Sequence, residues 1–291
     1  METSELLKKV RKIEIKTRGI SNHIFAGEYH SAFKGRGMSF SEVREYQIGD
    51  DIRTIDWNVT ARTGQPHVKI FEEERELTLM LMVDVSASAF FGTQHQMKNE
   101  MITEICAVLS FSAITNNDKV GVIFFSDQVE KFIPPKKGKG HILRIIRELL
   151  DFDPQDKGTN INEALRFLNG VMKKRSIVFI MSDFMDNGYK DAITIANKRH
   201  DLVGIHVYDE RERNLPNIGL ARVADAESSS YIWLDTASAK VREQYRKWFD
   251  DNLAMTKRNF HRSGADLVSI STSDSYVKSL MGFFKTREKK R

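Results

Sequence analysis

Two apolar runs that stop abruptly at oxygen-bearing side chains organise this chain. Leu79-Met80-Leu81-Met82-Val83 is apolar at every position and is followed at once by Asp84-Val85-Ser86-Ala87-Ser88. A strand without polar–apolar alternation is one buried on both faces, as in a parallel sheet covered by helices. The second run, Ser176-Ile177-Val178-Phe179-Ile180-Met181-Ser182, ends in the same way at Asp183. The pattern predicts strands over residues 77–83, 119–125, 176–182, 202–208 and 266–270, with 231–234 as an edge element. Helical spacing falls between them, over 97–115, 141–150, 162–173, 189–199, 237–262 and 273–285. This alternation predicts an α/β fold with a doubly wound, mostly parallel sheet flanked by helices.

The segment before the first run reads differently. Leu6, Leu7, Val10 and Ile13 recur at helical spacing among Lys and Arg, which predicts an amphipathic helix docked on the rest of the protein. Residues 21–70 are punctuated by Gly27, Gly35, Gly37 and Gly49 and are dense in charge, which suits short strands and turns. The expected organisation is an N-terminal helix (1–20), a small β-rich charged subdomain (21–74), the α/β domain (75–285) and a basic tail (286–291).

The strand-end residues carry the candidate chemistry. In an open parallel sheet, ligands bind beyond the carboxyl ends of the strands. Asp84, Ser86 and Ser88 place a carboxylate and two hydroxyls in one short loop there, a hard-oxygen set suited to Mg²⁺. Gly158-Thr159-Asn160-Ile161-Asn162 adds a loop hydroxyl before a helix, and Asp183 adds a second strand-end carboxylate. Taken singly, each Ser or Asp reads as a helix or turn cap. Taken in order, Asp-x-Ser-x-Ser, then Thr159, then Asp183 resembles the metal-ion-dependent adhesion site (MIDAS) of von Willebrand factor A-type (vWA) domains. That resemblance implies a vWA/Rossmann-like sheet. It implies direct metal ligation by Asp84, Ser86 and Ser88, ligation by Thr159 and Asp183 directly or through water, and an open metal position that a partner's Glu or Asp fills. Mg²⁺ is the expected ion, and Mn²⁺ or Ca²⁺ also suits an all-oxygen site.

A further resemblance extends over most of the chain. Arg44-Glu45-Tyr46-Gln47-Ile48-Gly49-Asp50-Asp51-Ile52-Arg53-Thr54-Ile55-Asp56-Trp57-Asn58, with Gly35-Arg36-Gly37 before it and Ala61-Arg62 after it, is similar to the signature of the bacterial domain-of-unknown-function 58 family. Downstream, Val120-Gly121-Val122-Ile123-Phe124-Phe125-Ser126, Pro134-Pro135 and Val207-Tyr208-Asp209-Glu210-Arg211-Glu212 also fit. That family joins such a segment to a vWA-like domain, and its members are often encoded beside MoxR-type AAA+ ATPases and other vWA proteins. In this segment Arg36, Arg44, Arg53 and Arg62 are expected to pair with Glu42, Glu45, Asp50, Asp51 and Asp56, with Tyr46 and Trp57 packing it down. A structural role for these charges outweighs an acid–base or metal role for Asp50, Asp51 and Asp56.

Composition then narrows the setting. No apolar run approaches the about 20 residues that span a bilayer, and the N-terminus lacks a signal-peptide apolar stretch, so a cytoplasmic chain is expected. The single cysteine, Cys106, excludes an internal disulfide and lies in an apolar helical run, which reads as a buried thiol. The net charge of +5 is concentrated in Lys136, Lys137 and Lys139 and in the tail Lys285 to Arg291, both read as solvated loop or tail. No recognition helix or interleaved aromatic pattern accompanies them, so nucleic acid is not an expected partner. No P-loop Gly-x-x-x-x-Gly-Lys-Ser/Thr and no Gly-x-Gly-x-x-Gly after a strand is present.

The expected function is therefore non-enzymatic: a metal-dependent protein-binding module, an adaptor or assembly factor acting with a MoxR-type AAA+ ATPase. Two alternatives stand beside it. One is a metal-assisted phosphohydrolase built on Asp84, although the loop lacks an Asp-x-Asp pattern. The other is a scaffold whose metal site is vacant.

Overall fold

The structure, a computed structural model, describes residues 3–20, 38–73, 77–93, 96–224 and 231–289. In chain order its elements are α1 (Thr3–Ile20), β1 (Met38–Glu45), α2 (Trp57–Thr63), β2 (His67–Glu73), β3 (Thr78–Asp84), α3 (Lys98–Thr115), β4 (Lys119–Phe125), β5 (Val129–Lys136), α4 (Lys139–Asp151), α5 (Ile161–Val171), β6 (Ile177–Ser182), α6 (Lys190–Arg199), β7 (Asp201–Tyr208), the short α7 (Glu210–Arg213), β8 (Leu220–Ala224), β9 (Tyr231–Asp235), α8 (Ala239–Arg262), β10 (Asp266–Ser271) and α9 (Tyr276–Lys289). The chain divides into two compact units, Phe33–Leu77 and a larger one of Thr78–Arg291 with Met1–Ala32.

The larger unit is a mixed, mostly parallel α/β fold. Its sheet runs β10-β7-β6-β3-β4-β5, with every neighbour parallel except the antiparallel β4–β5 pair. Leu81 lies opposite Val122 on one side and Phe179 on the other, which places β3 at the centre. From β3 the chain builds outward to β4 and β5, then crosses back to start the other half at β6. The loops after β3 and β6 therefore leave the same sheet edge side by side, at the switch point where ligands bind in such folds.

Burial explains why these runs are strands. Leu79 to Val83 and Ile177 to Met181 are all at most 4% exposed, because helices cover both sheet faces. Met80, Met82, Ile123, Val178 and Ile180 point to one face and meet Leu165, Leu168, Ile193 and Phe260 from α5, α6 and α8. Gly204 in β7 leaves room there: a Cβ would meet the Phe260 ring at 2.6 Å. The alternate residues face α3, which is buried along almost its whole length. α1 packs on α3 and α4 through Val10 and Thr17, and Lys16 is 2.6 Å from the Glu104 carboxylate.

Three expectations need correction. Of the Lys cluster read as a solvated loop, Lys136 ends the edge strand β5, which also holds Pro134 and Pro135, and Lys139 opens α4. Pro134 and Pro135 are compatible with a strand because one side of an edge strand needs no ladder donors and because the pairing with β4 is irregular there, Ile133 lying opposite Val122 and Lys136 opposite Val120. Residues 231–234 are not an edge of the main sheet, for β9 pairs with β8 in a separate antiparallel two-stranded sheet. In the smaller unit, β1 and β2 form an antiparallel pair, but Trp57 is 70% exposed and does not pack that unit down.

Candidate metal centre

Asp84 ends β3 and is 2% exposed. Its Oδ1 accepts from the Ser86 amide at 3.0 Å, and its Oδ2 accepts from Ser182 Oγ at 2.6 Å. Thr159 Oγ1 stands 3.4 Å from the same Oδ2. Ser86, fully buried, has its Oγ 3.1 Å from Ser88 Oγ, and the Ser88 hydroxyl helps to hold the Asp183 carboxyl down. Asp84, Ser86, Ser88, Thr159 and Asp183 are thus brought into one cluster from three separate loops. A small cavity of about 10 Å³ lies among Asp84, Ser88, Lys98, Ser182 and Asp183, enough for one water-sized occupant.

Local structure fixes each loop. The Ala87 amide donates to Lys157 O at 3.0 Å, and the Asn160 amide to Ser126 O at 2.8 Å, tying the Thr159 loop to the ends of β3 and β4. The Ile161 amide donates to Asp186 Oδ2 at 2.9 Å, which ties it to the loop after β6. Gly158 lies close to Asp127 there: its amide donates to Asp127 Oδ2 at 3.1 Å, and a Cβ would meet that carboxylate unless the side chain moved. Asn160 caps α5 by accepting from the Glu163 amide. After Asp183 the chain turns through Phe184 at φ 54°, a left-handed conformation uncommon for a bulky residue. Phe184 is held there by burial against Tyr189, His206 and Phe260, and its amide donates to Ser182 Oγ at 3.0 Å.

Three participants were not legible as such in the sequence: Ser182, Lys98 and Glu212. Lys98, on the first turn of α3, is 1% exposed, and its ammonium lies 3.0 Å from Asp183 Oδ2 and 2.6 Å from Glu212 Oε1. Glu212 in turn accepts from the Asp209 amide at 2.8 Å, closing a capping box on α7. Asp209 accepts from Thr93 Oγ1 and Thr272 Oγ1, each at 2.7 Å. The one sequence signal for Lys98 is its spacing, four and seven residues before Ile102 and Ile105 on a buried stripe.

Electrostatics divide the two carboxylates. Burial pushes Asp84 up to about 7, and the charge of Asp183 adds to it against the hydrogen bonds from Ser182 and Ser86. Burial acts on Asp183 as well, but the Lys98 ammonium overrides it and holds Asp183 below the usual carboxylate range. Burial would lower Lys98, yet Asp183 and Glu212 keep it firmly protonated. One ammonium therefore serves Asp183 and Glu212, and Asp84 is left without a cation. Among the described residues no group of three or more His, Cys, Asp and Glu is placed to share an ion. Two carboxylates and three hydroxyls form a donor set that fits Mg²⁺, which takes few carboxylates and keeps some waters.

In the smaller unit Asp50, Asp51 and Asp56 are taken up by one ion pair and two caps. Arg44 makes a bidentate pair with Asp50, at 2.8 and 2.7 Å, which draws Asp50 below its ordinary range. Asp51 caps the turn Ile52–Thr54 through the Arg53 amide. Asp56 caps α2 through the Asn58 and Val59 amides, and its counter-ion is Lys69 at 3.5 Å, not an arginine. Arg53 and Arg62 are exposed and form no ion pair among the described residues, and Arg36 lies outside them. The expected arginine network reduces to one pair, because capping already uses Asp51 and Asp56.

No helix among the described residues is long and apolar enough to cross a membrane. The chain is 27% identical to the uncharacterized protein Rv1480 of Mycobacterium tuberculosis over 293 aligned positions, covering 99% of this chain and 92% of that one. Among solved structures it is similar to the conserved hypothetical protein BatB from Bacteroides thetaiotaomicron, at 16% identity and TM-score 0.47, over 74% of this chain and all of that one. It is also similar to the SpRpn10 VWA domain, at 13% identity and TM-score 0.38, over 71% of this chain and 94% of that one. The family described as Protein of unknown function DUF58 matches residues 42–254, and the chain belongs to that family.

Proposed function

We propose that this protein is a non-enzymatic, Mg²⁺-dependent protein-binding module. The observation that supports this reading best is the pair Asp84 and Asp183, one buried and the other with its side chain 7% exposed, set among three hydroxyls at the switch point of the sheet, with one ammonium shared between Asp183 and Glu212. Asp84, Ser86 and Ser88 would hold the metal, with Thr159 and Asp183 completing the set. Bound Mg²⁺ supplies an electrophilic position that a partner's carboxylate can take, and Mn²⁺ or Ca²⁺ can stand in for it. The chain's own part is positional. Asp84 contributes charge, and the neutral hydroxyls of Ser86 and Ser88 leave the ion under-neutralised and receptive to a further anion. The Ser182 hydroxyl orients Asp84, and the hydrogen bonds through Ala87, Asn160 and Ile161 hold the Thr159 loop against it.

The partner is proposed to be a MoxR-type AAA+ ATPase or another vWA protein presenting an acidic side chain, with this chain as its adaptor or assembly factor. Calorimetric titration of Mg²⁺ into the protein, beside Asp84→Ala, tests the metal half of the reading. Saturable binding to the wild type that Asp84→Ala abolishes is the expected result. Absence of binding to the wild type, or equal binding to both proteins, contradicts it.

A further inference from the structure

We propose that Lys98 is a built-in cation that competes with the divalent metal for the candidate site and thereby sets how tightly the metal is held. This rests on the metal-binding reading above and concerns the regulation of that same site.

The geometry is specific. The Lys98 ammonium is 3.0 Å from Asp183 Oδ2, so a carboxylate assigned to the metal is already paired with a positive charge. The ammonium, Asp84, Ser88 and Asp183 line the same small cavity. An ion within that cluster stands close to the ammonium in a site nearly free of solvent, where like charges repel strongly. Burying a lysine is costly unless it is paired, and such a pair is seldom kept for stability alone.

Glu212 gives the lysine an alternative anchor. Its Oε1 is the nearer of the two acceptors, at 2.6 Å, and its other oxygen is fixed by the Asp209 amide. Asp209 is fixed in turn by Thr93 and Thr272. A metal entering the site displaces the ammonium from Asp183 toward Glu212 rather than into an unpaired state. By reciprocity, anything that loosens the Asp209–Glu212 turn changes the metal affinity, and metal binding changes that turn.

The test is calorimetric titration of Mg²⁺ into the full chain as wild type, as Lys98→Met and as the double variant Lys98→Met, Glu212→Gln. The double variant removes the ammonium and its second partner together, so no unpaired Glu212 threatens the fold. Both variants are expected to bind Mg²⁺ at least about tenfold more tightly than the wild type, which is about 1.4 kcal/mol. A folded double variant with equal or weaker affinity than the wild type overturns it, while wild-type binding leaves the metal reading standing. No binding by any of the three proteins overturns both. A purely structural role for Lys98 lowers affinity when removed and does not raise it.

Discussion

Ser182 Oγ donates to Asp84 Oδ2 at 2.6 Å while accepting from the Phe184 amide at 3.0 Å, so one hydroxyl links the ends of β3 and β6 and fixes the turn between Asp183 and Phe184. Ser182→Ala leaves a buried carboxylate oxygen and a buried amide each short of a partner. A loss of about 1–3 kcal/mol in unfolding free energy is expected by denaturant titration. An unchanged value means that the hydroxyl does not bridge the two strands.

Asp84 itself behaves as a charge without a counter-ion. Burial and the neighbouring Asp183 oppose its ionised form. Asp84→Asn keeps the shape and removes that opposition, so the metal-free protein is expected to melt at the same or a higher temperature than the wild type. Only the wild type is expected to gain stability on adding Mg²⁺, by about 2.7 kcal/mol at a hundredfold excess over Kd. A melting temperature that rises equally in both proteins removes Asp84 from the metal site.

Gly158 adjoins Thr159 in its loop. Gly158→Ala brings a Cβ against the Asp127 carboxylate, the far end of an exposed side chain. Either that carboxylate gives up its bond to the residue 158 amide or the backbone beside Thr159 shifts, and the expected cost is at most about 1 kcal/mol. The Mg²⁺-dependent gain in melting temperature is expected to shrink more than the stability of the metal-free fold. An unaltered Mg²⁺ response shows that Thr159 is not needed.

His200 makes stability depend on pH. It is 1% exposed, and its ring nitrogens have no hydrogen-bond partner among the described residues. Burial, aided by Arg199 and Arg175, lowers it from its ordinary 6.5 to about 4. A base whose folded value is depressed contributes stability that is complete above its unfolded value and lost as pH falls toward the folded one. Between pH 6.5 and about 4 this loss approaches 1.4 kcal/mol per pH unit. Unfolding free energies at pH 7 and pH 5 are expected to differ less in His200→Phe than in the wild type. Equal differences place the acid sensitivity elsewhere.

What could be read in the sequence follows from what local pattern encodes. Leu79–Val83 and Ile177–Met181 are apolar because both faces of the central strands are covered, so these strands and their oxygen-bearing ends are visible locally. The five candidate ligands, Asp84, Ser86, Ser88, Thr159 and Asp183, follow from strand ends and loop position, and the fold gathers them. Edge elements were harder to read. Pro134 and Pro135 argue against a strand everywhere except at a sheet edge, and β8 alternates too briefly to stand out. The contacts of Lys98 are invisible for a different reason. Asp183 is 85 residues away and Glu212 is 114 residues away, and apart from its spacing to Ile102 and Ile105 nothing near Lys98 in the chain indicates that its charge is buried.

The central claim is that a metal at these strand ends receives a partner's carboxylate. The direct measurement is capture of a purified MoxR-type AAA+ ATPase by immobilised wild type and Asp84→Ala, each with Mg²⁺ and with EDTA. The Asp84→Ala arm separates the metal on this chain from any Mg²⁺ that the ATPase itself requires. Capture by Mg²⁺-loaded wild type alone is the predicted result. Equal capture in all four conditions contradicts the claim and moves the interface away from the metal centre.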